Sequence, residues 1–172
     1  TDGKAFDLLA RLSRPERGEV SFDDGRLVLS GELDSGAKGV RGVRYVVLLD
    51  AVADNTDAIV EADTCGLHIV NAKSVTLYVS ATTSLLYADK YWEYADSVLS
   101  VAKTKRYSDL RDSHVKAHSE LYNRVDVSIK GNGDEVLTTE KRIERYAQSE
   151  DPAMAELYYN FGRYSLISST RP

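Results

Sequence analysis

The sequence predicts an α+β chain in which an antiparallel β-sheet comes first and helices follow. Three observations predict it. Up to about residue 85 apolar side chains alternate with polar ones, the period of a half-buried strand. From Tyr87 onward the apolar residues recur at helical spacing. The final stretch, Asp151 to Pro172, reads as a helix with almost no polar face, and such a helix belongs deep inside something larger. The expectation from that helix is that the chain is a piece of a bigger protein.

The strands come first. Phe6, Leu8 and Ala10 share a face, and Arg14-Pro15 ends that strand. Glu19 to Asp23 and Arg26 to Glu32 are predicted to form a hairpin through Asp24-Gly25, a dipeptide that accepts positive φ. A Val-rich strand runs from Gly42 to Asp54, and Ile59 to Asp63 and Lys73 to Thr82 add two more. Ser35, Gly36, Gly39 and Gly42 mark a loop, and with no helix pattern behind them they do not form a phosphate-binding glycine turn. His68, in the run Gly66 to Val70, and the single cysteine, Cys65, are read as strand residues, with Cys65 buried and inert.

The helices follow. Lys90 to Lys103 carries Tyr91, Tyr94, Ala95 and Val98 at helical spacing, and Ser108 caps a second helix reaching about Arg124. Val125, Val127 and Ile129 alternate with Asp126, Ser128 and Lys130, which predicts a short return strand before the turn Gly131-Asn132-Gly133-Asp134. Thr138 or Thr139 caps a helix through Gln148, with Ile143 and Tyr146 turned inward. In the last helix Asp151 is the predicted N-cap, and Pro152 fits the first helical position. The division read from these changes of period is a β-domain over 1–86, a helical linker with its return strand over 87–131, and a helical segment over 132–172.

Composition narrows the function. At 172 residues and 42% hydrophobic content the chain can bury a core as one domain or two small ones. With 22 basic against 27 acidic residues and no long basic run, nucleic acid is not expected as a partner. No stretch approaches the roughly 18 apolar residues that cross a bilayer, so no membrane partner is expected either. One cysteine makes no internal disulfide and completes no thiolate metal site.

Candidate chemistry is sparse. His114 and His118 stand four apart on one predicted helix face, yet a zincin would need Glu where Val115 stands, together with a third ligand. No metal and no cofactor are expected. The acidic pairs Asp23-Asp24, Asp109 with Asp112, and Glu140 with Glu144 are read as surface charge, because a glycosidase needs its acid and base on opposite sides of a sugar. Most of the eleven tyrosines and Trp92 fall at core positions of helices, and Phe6, Phe22, Tyr45 and Tyr78 are scattered through the β-part.

The stretch DLRDSHVKAHSELYNRVDVSI (Asp109 to Ile129), then TTEKRIERYA, then DPAMAELYYNFGRYSLISSTRP, resembles glycoside hydrolase family 95, the inverting α-L-fucosidases and related α-L-galactosidases. Leu110, His114, Arg124 and Val125 fall in that family's order, and FGRYSLISSTRP is similar to its first barrel helix and Ser-Ser-x-Arg-Pro close. Upstream, LSRPE (Leu12 to Glu16), LVLSGEL (Leu27 to Leu33) and SVTLYVSATTSL (Ser74 to Leu85) resemble its N-terminal β-domain.

The resemblance implies the end of a β-supersandwich, a helical linker and the first helices of an (α/α)6 barrel. It also implies a parent protein that removes terminal α-L-fucose or α-L-galactose from glycans. In the family a glutamic acid protonates the leaving oxygen, and an asparagine supported by an aspartate activates the water. Those residues are expected beyond Pro172, so no catalytic residue is assigned here, no substrate-binding residue is known, and the chain alone is expected to be inactive. Arg171, with Ser168, Ser169 and Thr170, is expected to support the site. The expected partners are the glycan substrate, the remainder of the barrel and, through the exposed last helix, a second copy of the chain. A periplasmic or extracellular parent is expected. The alternatives are a carbohydrate-binding β-domain, which needs a row of exposed aromatics, and a purely structural or interaction role.

Overall fold

A computed structural model describes residues 4–170. It holds two antiparallel sheets and five α-helices, and it divides into two compact units, the first running to Tyr107 and the second starting at Ser108.

The first unit is a small β-sandwich. Strands β1 (Phe6–Ala10), β6 (Gly66–Ala72) and β5 (Ile59–Asp63) make a three-stranded sheet in that order. Strands β2 (Glu19–Asp23), β3 (Arg26–Glu32), β4 (Arg44–Ala53) and β7 (Val75–Thr83) make the four-stranded one. Leu27, Leu49 and Ala51 of the larger sheet and Leu67, Ile69 and Ala72 of the smaller one close a single buried cluster, with Phe6, Leu8 and Ala10 packed against it as their shared face predicts.

Local chemistry fixes the strand registers. Asp24 and Gly25 both take positive φ, 49° and 77°, which gives the hairpin the twist its strands need and leaves Asp23 paired with Arg26. At Gly31 a Cβ would stand 2.0 Å from the carbonyl oxygen of Arg17. Only a residue without a side chain lets that loop approach, and the approach is held by the Tyr45 hydroxyl donating to the same carbonyl at 2.8 Å.

After β7, the one-turn helix α1 (Ser84–Tyr87) and a 3-10 turn lead into α2 (Tyr91–Lys103). Helix α2 lies against β4 and β7 and buries Ala95 and Leu99. Ion pairs fix both its middle and its end: Arg26 holds Asp96, and Lys103 holds the buried Asp50. The helix therefore covers the outer face of the larger sheet. That use of α2 as a third layer explains why the first compact unit extends well past the point where the sequence changes period.

Cys65 departs from expectation. It is exposed and lies in the two-residue turn joining β5 to β6. The Asp63 carboxylate accepts the backbone N–H groups of Cys65 and Gly66 at 2.7 and 3.1 Å, which closes the turn and leaves the thiol outside. Those bonds, the Cys65 amide foremost, hold the Asp63 carboxyl below the usual carboxylate range.

The second unit is helical. Helices α3 (Tyr107–Tyr122), α4 (Thr139–Tyr146) and α5 (Pro152–Ser169) match the predicted spans closely. The return strand over 125–129 is absent, because no second strand lies beside it to form a ladder. Side chains of α5 take the ladder's place: Glu156 accepts the Ile129 N–H at 2.7 Å, and Arg163 donates to the carbonyls of Tyr122 and Val125.

Candidate functional site

In the second unit, α4 and α5 meet at an ion pair that hydrophobic spacing did not foretell. Arg142 Nε and Nη2 donate to the two carboxylate oxygens of Asp151 at 2.7 and 3.0 Å, and the two residues are only 7% and 3% exposed. Asp151 occupies the N-cap position with Pro152 behind it, as the sequence predicts, and its carboxylate is held chiefly by Arg142, with the Met154 and Ala153 amides as lesser contributors. The paired geometry, with the hydrogen bond to Arg142 leading, lowers the Asp151 pKa, and the same bond raises that of Arg142. Asn132 reinforces the junction by donating to the Glu150 carbonyl at 2.7 Å, and Arg145 pairs with Asp134 at 2.8 Å.

Around that pair the two helices leave an apolar surface open. Ile143 and Tyr146, predicted to face a core, are exposed instead. Ile143 lines two shallow grooves of about 450 and 530 Å³ with Met154 and Tyr158 of α5, and Tyr146 lines the second of them. Tyr158 and Phe161 are 77% and 66% exposed. The periodicity finds an apolar face, but among the described residues nothing covers it, so the inward placement expected for these two side chains is not what the structure shows. A third groove, about 400 Å³, lies between the end of α3 and the end of α5. None of the three is lined by an aspartate or glutamate, so none presents the facing carboxylates of glycoside hydrolysis.

The histidines take up packing positions. His114 and His118 rings lie 6.0 Å apart, and His118 stands against Tyr122 and Tyr164 at 5.6 and 5.0 Å. His68 sits on β6 with Nε2 at 3.1 Å from Asp63. Among the described residues no three His, Cys, Asp or Glu side chains gather as a metal site would require.

The acidic pairs are dispersed along the surface: Asp23 lies 3.9 Å from Arg26, and Asp112 lies 3.7 Å from Arg111. Glu140 and Glu144 are both exposed on α4. Ser169 and Thr170 turn their hydroxyls back to the Leu166 carbonyl at 3.3 and 2.7 Å, which satisfies the helix end, and Ser168 lies beside them on α5. Arg171, the other residue expected to support the site, lies outside the described residues.

The β-part does not present a sugar-stacking platform. Tyr45 and Tyr78 are buried and Phe6 packs on the core, which leaves Phe22 alone exposed of the four aromatics in question. Among the described residues no helix is long and apolar enough to cross a membrane.

Comparison with known proteins accounts for the helical unit. Residues 106–172 match the sequence profile described as the glycosyl hydrolase family 95 catalytic domain. Over its whole length the chain is similar to alpha-L-fucosidase 2 of Arabidopsis thaliana, 26% identical across 187 aligned positions that make up 22% of that protein. It is also similar to probable alpha-fucosidase A of Aspergillus niger, 34% identical across 83 positions covering 48% of this chain and 10% of that protein. The chain thus spans about a fifth of the first relative's length. The family match thus falls on the segment that forms α3, α4 and α5, and there the chain is similar to the glycoside hydrolase family 95 catalytic domain.

Proposed function

We propose that this chain is the non-catalytic scaffold portion of a glycoside hydrolase that removes terminal α-L-fucose, or the closely related α-L-galactose, from glycans. One observation carries the reading: the catalytic-domain match begins at residue 106 and covers the whole helical unit, while the grooves described there carry no acid. In this reading the grooves beside α4 and α5 receive further helices of an (α/α)6 barrel. Covering Tyr158, Phe161 and Ile143 would remove their apolar surface from water, at about 25 cal/mol per Å². The reacting groups belong to sequence outside residues 1–172. A glycan substrate also favours a protein that works outside the cytoplasm.

The proposed reaction is inverting hydrolysis. An acid protonates the leaving oxygen while an activated water attacks the anomeric carbon from the opposite face, and the two groups must stand about 6.5–9.5 Å apart to admit that water. Loops and helix ends set such a separation only when their supports are fixed. The Arg142 to Asp151 pair and the Arg163 clamp on residues 122–125 fix the relation of α3, α4 and α5 to one another. Activity of the 172-residue chain and of the full-length protein on an aryl α-L-fucoside tests the reading. No turnover is expected for the chain, and turnover with inverted product stereochemistry, followed by NMR, is expected for the full-length protein. Hydrolysis by the chain alone would refute the scaffold role.

A further inference from the structure

Of the five asparagines in the chain, Asn132 alone is followed by glycine. Asn55, Asn71, Asn123 and Asn160 precede threonine, alanine, arginine and phenylalanine, whose side chains crowd the following backbone nitrogen. Gly133 has no side chain to do so, and the turn requires glycine there, because its φ is 101°. Both residues are exposed, so water and hydroxide reach them. Among the described residues no protein acceptor takes the Gly133 N–H.

The Asn132 side chain is held at both ends. Its Oδ1 accepts the Asp134 N–H at 3.0 Å, and its Nδ2 donates to the Glu150 carbonyl at 2.7 Å and to Asp134 Oδ2 at 3.2 Å. The bond to Oδ1 polarises the side-chain carbonyl and stabilises negative charge that develops on that oxygen. The bonds from Nδ2 tie the turn to the α4–α5 junction, because Asp134 pairs with Arg145 of α4 and Glu150 immediately precedes Asp151.

We propose that Asn132 is a site of spontaneous deamidation, and that its conversion to aspartate or isoaspartate unlatches the turn from the α4–α5 junction. The Gly133 nitrogen, its proton lost to hydroxide, attacks Asn132 Cγ. The new N–Cγ bond closes a five-membered succinimide as the Cγ–Nδ2 bond breaks, and Nδ2 leaves as ammonia with a proton taken from water. Water then adds to either ring carbonyl and opens the ring, with no oxidation or reduction. Aspartate puts an oxygen where Nδ2 stood, so a carboxylate faces the Glu150 carbonyl and the Asp134 carboxylate across distances that had held hydrogen bonds. Isoaspartate runs the main chain through Cγ, which adds one backbone atom to the turn and takes the amide away from Glu150. The inference does not depend on the hydrolase reading, since every group it uses lies between residues 132 and 151.

Ageing the 172-residue chain in warm, mildly alkaline buffer, followed by peptide mass mapping, tests this. The mass gain that comes with replacing an amide by a carboxylate is expected in the peptide holding Asn132 and Gly133, ahead of the peptides holding the other four asparagines. It should be slower in mildly acid buffer, where less of the Gly133 amide is deprotonated. Asn132→Asp, made directly, should lower the temperature at which helicity melts by roughly 4 °C or more, read by circular dichroism. Asn132→Gln keeps an amide that would have to close a six-membered ring, so it should hold its helicity on ageing while the wild type loses helicity with time. Mass gain no faster at Asn132 than at the other asparagines overturns the proposal. An unchanged melting temperature in Asn132→Asp overturns the unlatching. So does equal loss of helicity by the aged wild type and Asn132→Gln, a result that can be read even where Asn132→Asp fails to fold.

Discussion

The two units reach stability by different means. The sandwich closes its own core: six residues from facing sheets are buried together, and α2 covers the outer face of the larger sheet. In the helical unit, α5 has one buried hydrophobic residue, Ala153, and the best-buried contact is an ion pair. A unit that buries little apolar surface has little to offset the entropy of ordering its chain. The sandwich should therefore unfold as an independent cooperative body, while the helices, with little apolar surface buried among themselves, should open at lower cost.

The largest effect expected from this contrast is in the sandwich. Leu67, with no exposure, sits at the centre of the two-sheet cluster, and Leu67→Ala should destabilise that unit by about 2–5 kcal/mol. Urea unfolding followed by tyrosine fluorescence measures it. A cost under about 1 kcal/mol would mean that the cluster is loosely packed, and the contrast between the units would fail.

The second effect is electrostatic and sits in the helical unit. Asp151 has a lowered pKa in the folded state, so its contribution is fully present above its ordinary value near pH 4 and is lost as the pH falls through the lowered one. Asp151→Asn leaves Arg142 buried without its counter-charge, and should reduce helicity at neutral pH. The gap between wild type and variant, followed by far-UV circular dichroism, should narrow as the pH falls below about 4. A gap that stays constant through that window would show that the carboxylate's charge is not what holds α4 to α5.

How much of this was legible in the sequence follows the same division. The β2–β3 hairpin was readable because Asp24-Gly25 encodes its turn locally, through the sign of two φ angles. The helices were readable from spacing alone. The Arg142 to Asp151 pair was not, because burial of a charge is decided by a partner across a turn, and hydrophobic periodicity is silent about it. The alternation at 125–129 looked like a strand because period 2 reports side-chain direction and not the presence of a neighbour to pair with. Cys65 was misplaced for a related reason: Asp63 turns the chain two residues earlier than the apolar run suggests. No catalytic chemistry was readable from residue types, and the family resemblance, carried by the ending after Asp151, was what located the chain.

The smallest effect expected is also the one that separates the two units most cleanly. Tyr158→Ser with Phe161→Ser removes two aromatic rings that face solvent, so the 172-residue chain should lose no more than about 0.5 kcal/mol per site. The same pair of substitutions should suppress self-association, because exposed apolar surface of this kind drives chains together. Sedimentation velocity over a range of concentrations reads this directly: the wild-type chain should shift to larger species as concentration rises, and the double variant should remain a monomer. If both chains stay monomeric, the open face of α5 is not adhesive, and the helical unit is more self-sufficient than its burial implies. If the double variant instead unfolds, the two rings are internal supports of the α4–α5 junction. In either case the contrast with the sandwich narrows, because each unit would then hold its structure by contacts made within itself.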